Sequence, residues 1–200
     1  MKKIVLTVAA VFVLSFANAQ DKKESDEGFS KGDVFMSGSF NISNSKWASS
    51  GNYEESAFTF APSLGYFVSE NFALGLGLNL SNSSAKATSS SAESKTSTVG
   101  LALMGRYYFT PSSKFSSFVH GEFDYLTMTM DPGSLKANGY GFAIAPGFNY
   151  FVSKNLALET SIGMLSYASA KADVAGAQAS TNFKLGLDFS KINFGLSYKF

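Results

Sequence analysis

His120 is the only histidine among the 200 residues, and it stands two and four positions before Glu122 and Asp124 in a run that alternates apolar and polar side chains. An imidazole beside two carboxylates has the functional groups for general acid–base work, for orienting a serine nucleophile, or for ligating a metal. Each chemistry demands more than this spacing supplies. A zinc-type centre needs at least three converging ligands, and the chain has no second histidine and no cysteine. A serine hydrolase needs one particular hydroxyl in hydrogen-bond reach of the imidazole, and serine is so abundant here that a nearby one identifies nothing. The residues therefore predict no metal, no cofactor, no catalytic group and no enzyme activity. They read as polar groups satisfied inside a fold.

The elements that carry them are strands. Phe72, Leu74, Leu76, Leu78 and Leu80 alternate with Ala73, Gly75, Gly77 and Asn79, which is period two. The same alternation predicts eight strands: 34–42, 56–66, 72–80, 97–109, 115–129, 138–150, 156–166 and 183–200. In the seventh, Leu158, Ile162 and Met164 oppose Glu159, Ser161 and Gly163. In the last, the apolar row is odd through Phe189 and even from Ile192, so a one-residue bulge near Ser190 and Lys191 keeps one apolar face; a tight hairpin is the competing reading. Connections alternate short (68–71, 110–114, 152–155) and long and serine-rich (44–55, 81–96, 169–180), with 131–133 a briefer turn. Residues 61–80 and 145–164 match at nine positions with a constant offset of 84. Each copy is a strand, a turn and a strand, four strands apart in the count.

Alternation alone does not say which face is outside, but volume does. Eight strands enclose a space just wide enough for side chains, and four or five large apolar groups per strand would overfill it. The opposite face, with Gly139, Gly141, Ala143, Ala145 and Gly147 in one strand, suits a crowded interior. Aromatic residues form two tiers, with Tyr66, Phe72, Tyr107, Phe109, Phe115, Tyr150 and Tyr198 near the short turns and Phe40, Phe58, Tyr125 and Tyr140 toward the long loops. Such tiers fit headgroup girdles. The expected fold is all-β: an eight-stranded antiparallel up-and-down transmembrane β-barrel with short periplasmic turns and longer extracellular loops.

Composition agrees. Charged residues are 16% of the chain, against roughly 25% in soluble domains, so few charges are available to solvate a surface. Residues 1–19 read as a cleavable signal peptide, with Lys2 and Lys3, an apolar core and an Ala17-Asn18-Ala19 site that cuts between Ala19 and Gln20. Residues 20–32, rich in both charges, read as a flexible periplasmic lead-in, and 33–200 as the barrel. Without Lys2 and Lys3 the formal charge passes from +1 to −1 (14 basic against 15 acidic side chains), which favours no nucleic acid.

The KGDVFMSGSF entry strand, the GRYYF and YFVSENFALGLG turns and the terminal INFGLSYKF resemble the small outer-membrane β-barrel domain family of Gram-negative bacteria, akin to outer-membrane proteins X, A and W. The resemblance implies residence in the cell outer membrane, in contact with its lipid. It also implies a C-terminal signal for the barrel-assembly machinery at Ile192, Phe194, Leu196, Tyr198 and Phe200. The expected role is structural or surface-interacting, as a monomer meeting an extracellular ligand through its serine-rich loops. The alternatives are a narrow channel or binding barrel for a small or hydrophobic solute, and a lipid-modifying outer-membrane enzyme.

Within such a barrel the one arginine, Arg106, points inward and needs a carboxylate, because it cannot shed its proton. With Phe109 facing Phe115, Arg106 faces Phe118 and has His120 on the diagonal; a slip of two residues puts it opposite His120. Glu122 is the first-choice partner and Glu159, across the lumen, the second. Arg106, His120, Glu122, Asp124 and Glu159 form the expected interior electrostatic cluster.

Overall fold

The computed structural model describes residues 27–47, 53–87 and 93–200, except the side chains of 47, 53, 87 and 188–191. The cleavage site at Ala19 and Gln20 and the lead-in through residue 26 lie outside the described residues. Eight antiparallel strands, β1 (Val34–Trp47), β2 (Tyr53–Phe67), β3 (Phe72–Ala87), β4 (Glu93–Tyr108), β5 (Phe115–Asp131), β6 (Leu135–Phe151), β7 (Leu156–Ala172) and β8 (Ser180–Lys199), close into a barrel in sequence order. Each ladder joins chain neighbours, and β8 returns to β1 from Phe35↔Lys199 to Phe40↔Phe194.

The apolar rows face outward. Phe40, Phe58, Leu74, Leu101, Phe142, Leu158 and Leu196 are exposed, while Ala73, Ala102, Met104 and Phe118 are buried inside. The outward row turns polar at one level: beyond the Ile42↔Phe58 pair it becomes Asn44 and Lys46 on β1 and their partners Ser56 and Glu54 on β2, and Ser97 donates to Asn82 at 2.9 Å on the neighbouring strands. Thr127 bonds Asn138 just above Tyr125 and Tyr140. From Phe58 to Tyr66 the strand climbs ~26 Å, or ~20 Å along the normal at about 40° of tilt, close to the apolar band of an outer-membrane barrel.

Strands run 14 to 20 residues, longer than the predicted spans, because backbone pairing continues past the membrane. Residues 44–47, 53–55, 81–87, 93–96 and 169–172 were expected as loop and are strand. Above the apolar band both faces are polar, so the pattern that reveals a strand fades while the ladder persists. There Lys46 bonds Glu54 at 2.7 Å on the exposed wall, which lowers the Glu54 carboxyl below its usual range through that hydrogen bond.

The repeat is a structural one. In the first copy Ser69 Oγ accepts from the Phe72 amide at 3.1 Å, and Asn71 donates its side-chain amide to Tyr108 O at 2.8 Å. In the second, Ser153 accepts from Leu156 at 3.1 Å and Asn155 donates to Lys199 O at 2.7 Å. Each Ser-x-Asn turn thus ties its hairpin to the next strand. The ladder lapses at Ala61–Pro62 in one copy, and its register shifts between Ile144 and Gly147, around Pro146, in the other. A proline has no N–H to give a ladder.

Two bulges reset parity. On β7, Ile144↔Leu165 and Phe142↔Tyr167 carry the outward row on odd numbers above Ile162. Met164, expected on the lipid face, therefore falls on the other row. β8 is one strand with no hairpin, and its exposed row is Phe183, Leu185 and Leu187, then Phe194, Leu196 and Tyr198. Its register against β7 moves further than a one-residue bulge: from Ile162↔Ile192 to Leu165↔Leu185, β7 advances three residues and β8 seven.

Candidate functional site

Arg106 on β4 pairs across the ladders with Ala73 and with His120. The predicted Phe109–Phe115 register is therefore corrected by two residues: Tyr108 faces Phe118, because the β4–β5 turn spans more residues than that pairing leaves. The guanidinium reaches across the lumen. Its Nη1 donates to Glu159 Oε2 on β7 at 2.7 Å and to the Tyr108 hydroxyl at 3.4 Å, and its Nε donates to His120 Nδ1 at 3.0 Å. With Nδ1 accepting, the imidazole proton lies on Nε2, which donates to Glu122 Oε2 at 3.2 Å. One chain of hydrogen bonds, Glu159–Arg106–His120–Glu122, braces β7 against β4 and β5.

The geometry chooses the second of the two expected carboxylates. Glu122 lies on the strand beside Arg106, opposite Met104, and His120 stands between them as a bridge. Glu159 faces the guanidinium from the far wall. The Arg106 and Glu159 side chains are 7% and 12% exposed, so the pair is desolvated and each charge depends on the other. Arg106 also stacks over the Phe118 ring at 4.8 Å and lies 5.8 Å from the Phe35 ring. Asp124 sits one inward position further out, paired with Ala102 and Gly141, and its buried Oδ1 has no hydrogen-bond partner among the described residues. All five residues expected in the interior cluster line one lumen cavity of about 430 Å³, whose far end reaches Asn41 and Lys184.

A further layer lies on the periplasmic side of Arg106. Phe35, Phe67, Tyr108, Phe118 and Phe151, with Phe29 from before the first strand, form a packed aromatic cluster. Phe29 lies in the segment expected to be flexible. Over 27–32 that expectation fails, since backbone hydrogen bonds and ring contacts fasten the segment to the barrel. The signal was a lone aromatic in a charged run, flanked by Gly28 and Gly32.

At the chain end, Phe194, Leu196 and Tyr198 face outward, Ile192 pairs with Ile162, and Phe200 donates its amide to Val34 O at 3.0 Å. The Tyr198 and Phe200 rings meet edge to face at 5.1 Å. No helix is long and apolar enough to cross a membrane among the described residues.

Among solved structures, the chain is similar to the outer membrane protein OprG from Pseudomonas aeruginosa, at 14% identity and TM-score 0.53 over 88% of this chain and 99% of that one. It is likewise similar to E. coli outer membrane protein W, at 17% identity and TM-score 0.53 over 86% and 99%. At these identities the likeness is one of fold. No curated protein sequence matches. The family model for the outer membrane protein beta-barrel domain matches residues 6–200. With the lipid-facing rows and the closed eight-strand topology, this establishes an integral barrel of the outer membrane, and the chain belongs to the outer-membrane protein β-barrel domain family.

Proposed function

We propose that this chain is a non-enzymatic, membrane-anchored barrel whose working surface is the polar wall and loops that stand outside the membrane. The observation that carries this is strand length. A membrane β-strand needs ~9–11 residues, and these run to 14–20, with the outward row turning from Leu and Phe to Ser, Asn, Lys and Glu at a shared level. The surplus forms a rigid collar that presents the serine-rich loops to an extracellular ligand. Both ring nitrogens of His120 are engaged, by Arg106 and by Glu122, which leaves that imidazole no lone pair for a serine or a substrate. The outward Phe194, Leu196 and Tyr198 with terminal Phe200 support recognition by the barrel-assembly machinery, and the lipid-facing rows support a monomer.

A second reading, a binding barrel for a small solute, draws on the 430 Å³ cavity, whose walls include Ser39, Asn41, Thr59 and Asn79. Planar-bilayer recording of the refolded mature protein separates a surface role from a channel. The proposed role predicts no stable unitary steps, and regular porin-like steps would overturn it.

A further inference from the structure

The repeated YFVS turns place two phenylalanines, Phe67 and Phe151, at equivalent positions of the two hairpins, both fully buried on the lumen side. Between them sits Phe29, which is 1% exposed. Its ring stacks on Phe67 at 4.8 Å and meets Phe151 edge-on at 5.0 Å, with Phe35 and Tyr108 completing the seat at 5.2 and 5.3 Å. These four partners come from β1, β2, β4 and β6, so one side chain bridges the width of the barrel.

The backbone around Phe29 is fastened as tightly as its ring. The Phe29 amide donates to Pro111 O at 2.7 Å, the Gly32 amide to Phe67 O at 2.8 Å, and the Phe67 amide to Asp33 O at 2.9 Å. The Asp33 carboxylate accepts from the Ser30 amide at 2.8 Å and closes the turn. Lys199 of the last strand donates to Gly28 O, and its ammonium lies over the Phe151 ring. Gly28 has a φ of +108°, and a Cβ there would meet the Ser112 backbone, so the approach to the mouth requires glycine.

We propose that residues 27–33 are an intrinsic plug that seals the periplasmic end of the lumen by seating Phe29 between the two repeat-related phenylalanines. The cavity above Arg106 is then a cup closed toward the periplasm, and exchange with that side requires the segment to withdraw. This goes beyond the surface role, and it stands or falls separately, since its readout is access to the barrel floor rather than conductance or binding.

Because the native chain has no cysteine, a single Ser197→Cys reporter is specific; Ser197 is buried on the lumen face two residues before Lys199. In the refolded full mature chain in lipid vesicles, a charged methanethiosulfonate should label this cysteine slowly. Adding Phe29→Ala should speed labelling by at least about tenfold, since emptying a packed phenylalanine site favours local opening, while Phe29→Tyr should remain slow. Equal rates with Phe29 and with Ala would overturn the plug. If Phe29→Ala fails to refold, hydrogen exchange on the unaltered protein decides: the Phe29 and Gly32 amides should be protected like those of β1. Exchange at unfolded-chain rates would refute the seal.

Discussion

Glu159→Gln removes the charge that Arg106 faces while keeping a side chain of the same shape and an oxygen able to accept the 2.7 Å bond from Nη1. What is lost is mainly the Coulombic part, and both groups are nearly dry, at 7% and 12% exposure. Stranding one partner of a buried pair costs about 3–5 kcal/mol. The retained hydrogen bond, His120 and the Phe118 face offset part of this, so about 3 kcal/mol is expected for Glu159→Gln and the full range for Glu159→Leu. Arg106→Met with Glu159→Leu should recover much of the loss, because neither charge is then left alone. Glu122→Gln is the internal control: Glu122 bonds His120 and not the guanidinium, so its cost should be about 1 kcal/mol. Urea unfolding of the refolded protein in lipid, followed by tryptophan fluorescence and by the heat-modifiable gel shift, measures all four. A Glu122 variant weaker than the Glu159 variants would refute the assignment of the pair. Wild-type midpoints for both Glu159 variants would show that the brace contributes nothing to stability.

Two further outcomes follow from other parts of the barrel. Gly147→Ala should destabilise by about 1–3 kcal/mol, because its methyl would run into the Phe118 ring and the Thr160 carbonyl, whereas Gly163→Ala, with open space around it, should be near neutral in the same unfolding assay. Deleting Phe200 should lower the amount of folded barrel in the membrane more than deleting residues 20–26 does, as read by heat-modifiable protein in isolated outer membranes; equal amounts would argue against the C-terminal strand as the assembly signal.

Strand number, order and facing were legible in the residues because a barrel wall in lipid enforces a strict two-residue alternation. Leu74, Leu76 and Leu101 meet acyl chains, and Gly75, Gly77 and Ala102 leave room inside, so a shift of one residue would put every side chain on the wrong face. The parity change in β8 announced its irregularity for the same reason. Beyond Ile42, Leu80 and Val99 the pattern disappears, since a strand wet on both faces carries no alternation, and the collar was read as loop.

The interior cluster divides along the same line. That Arg106, His120, Glu122, Asp124 and Glu159 point inward is a local matter of odd and even numbers. Which carboxylate Arg106 meets depends on the register of β4 against β5 and on how far the lumen is across, distances that no strand contains by itself. The same holds for Phe29. Its only local mark is that of a lone aromatic between Gly28 and Gly32, and its burial arises because the closed barrel brings Phe67 and Phe151, 84 residues apart, to opposite sides of one mouth. Periodicity along the chain determines which side of the wall a residue takes; closure of the sheet in three dimensions determines which residues meet across it.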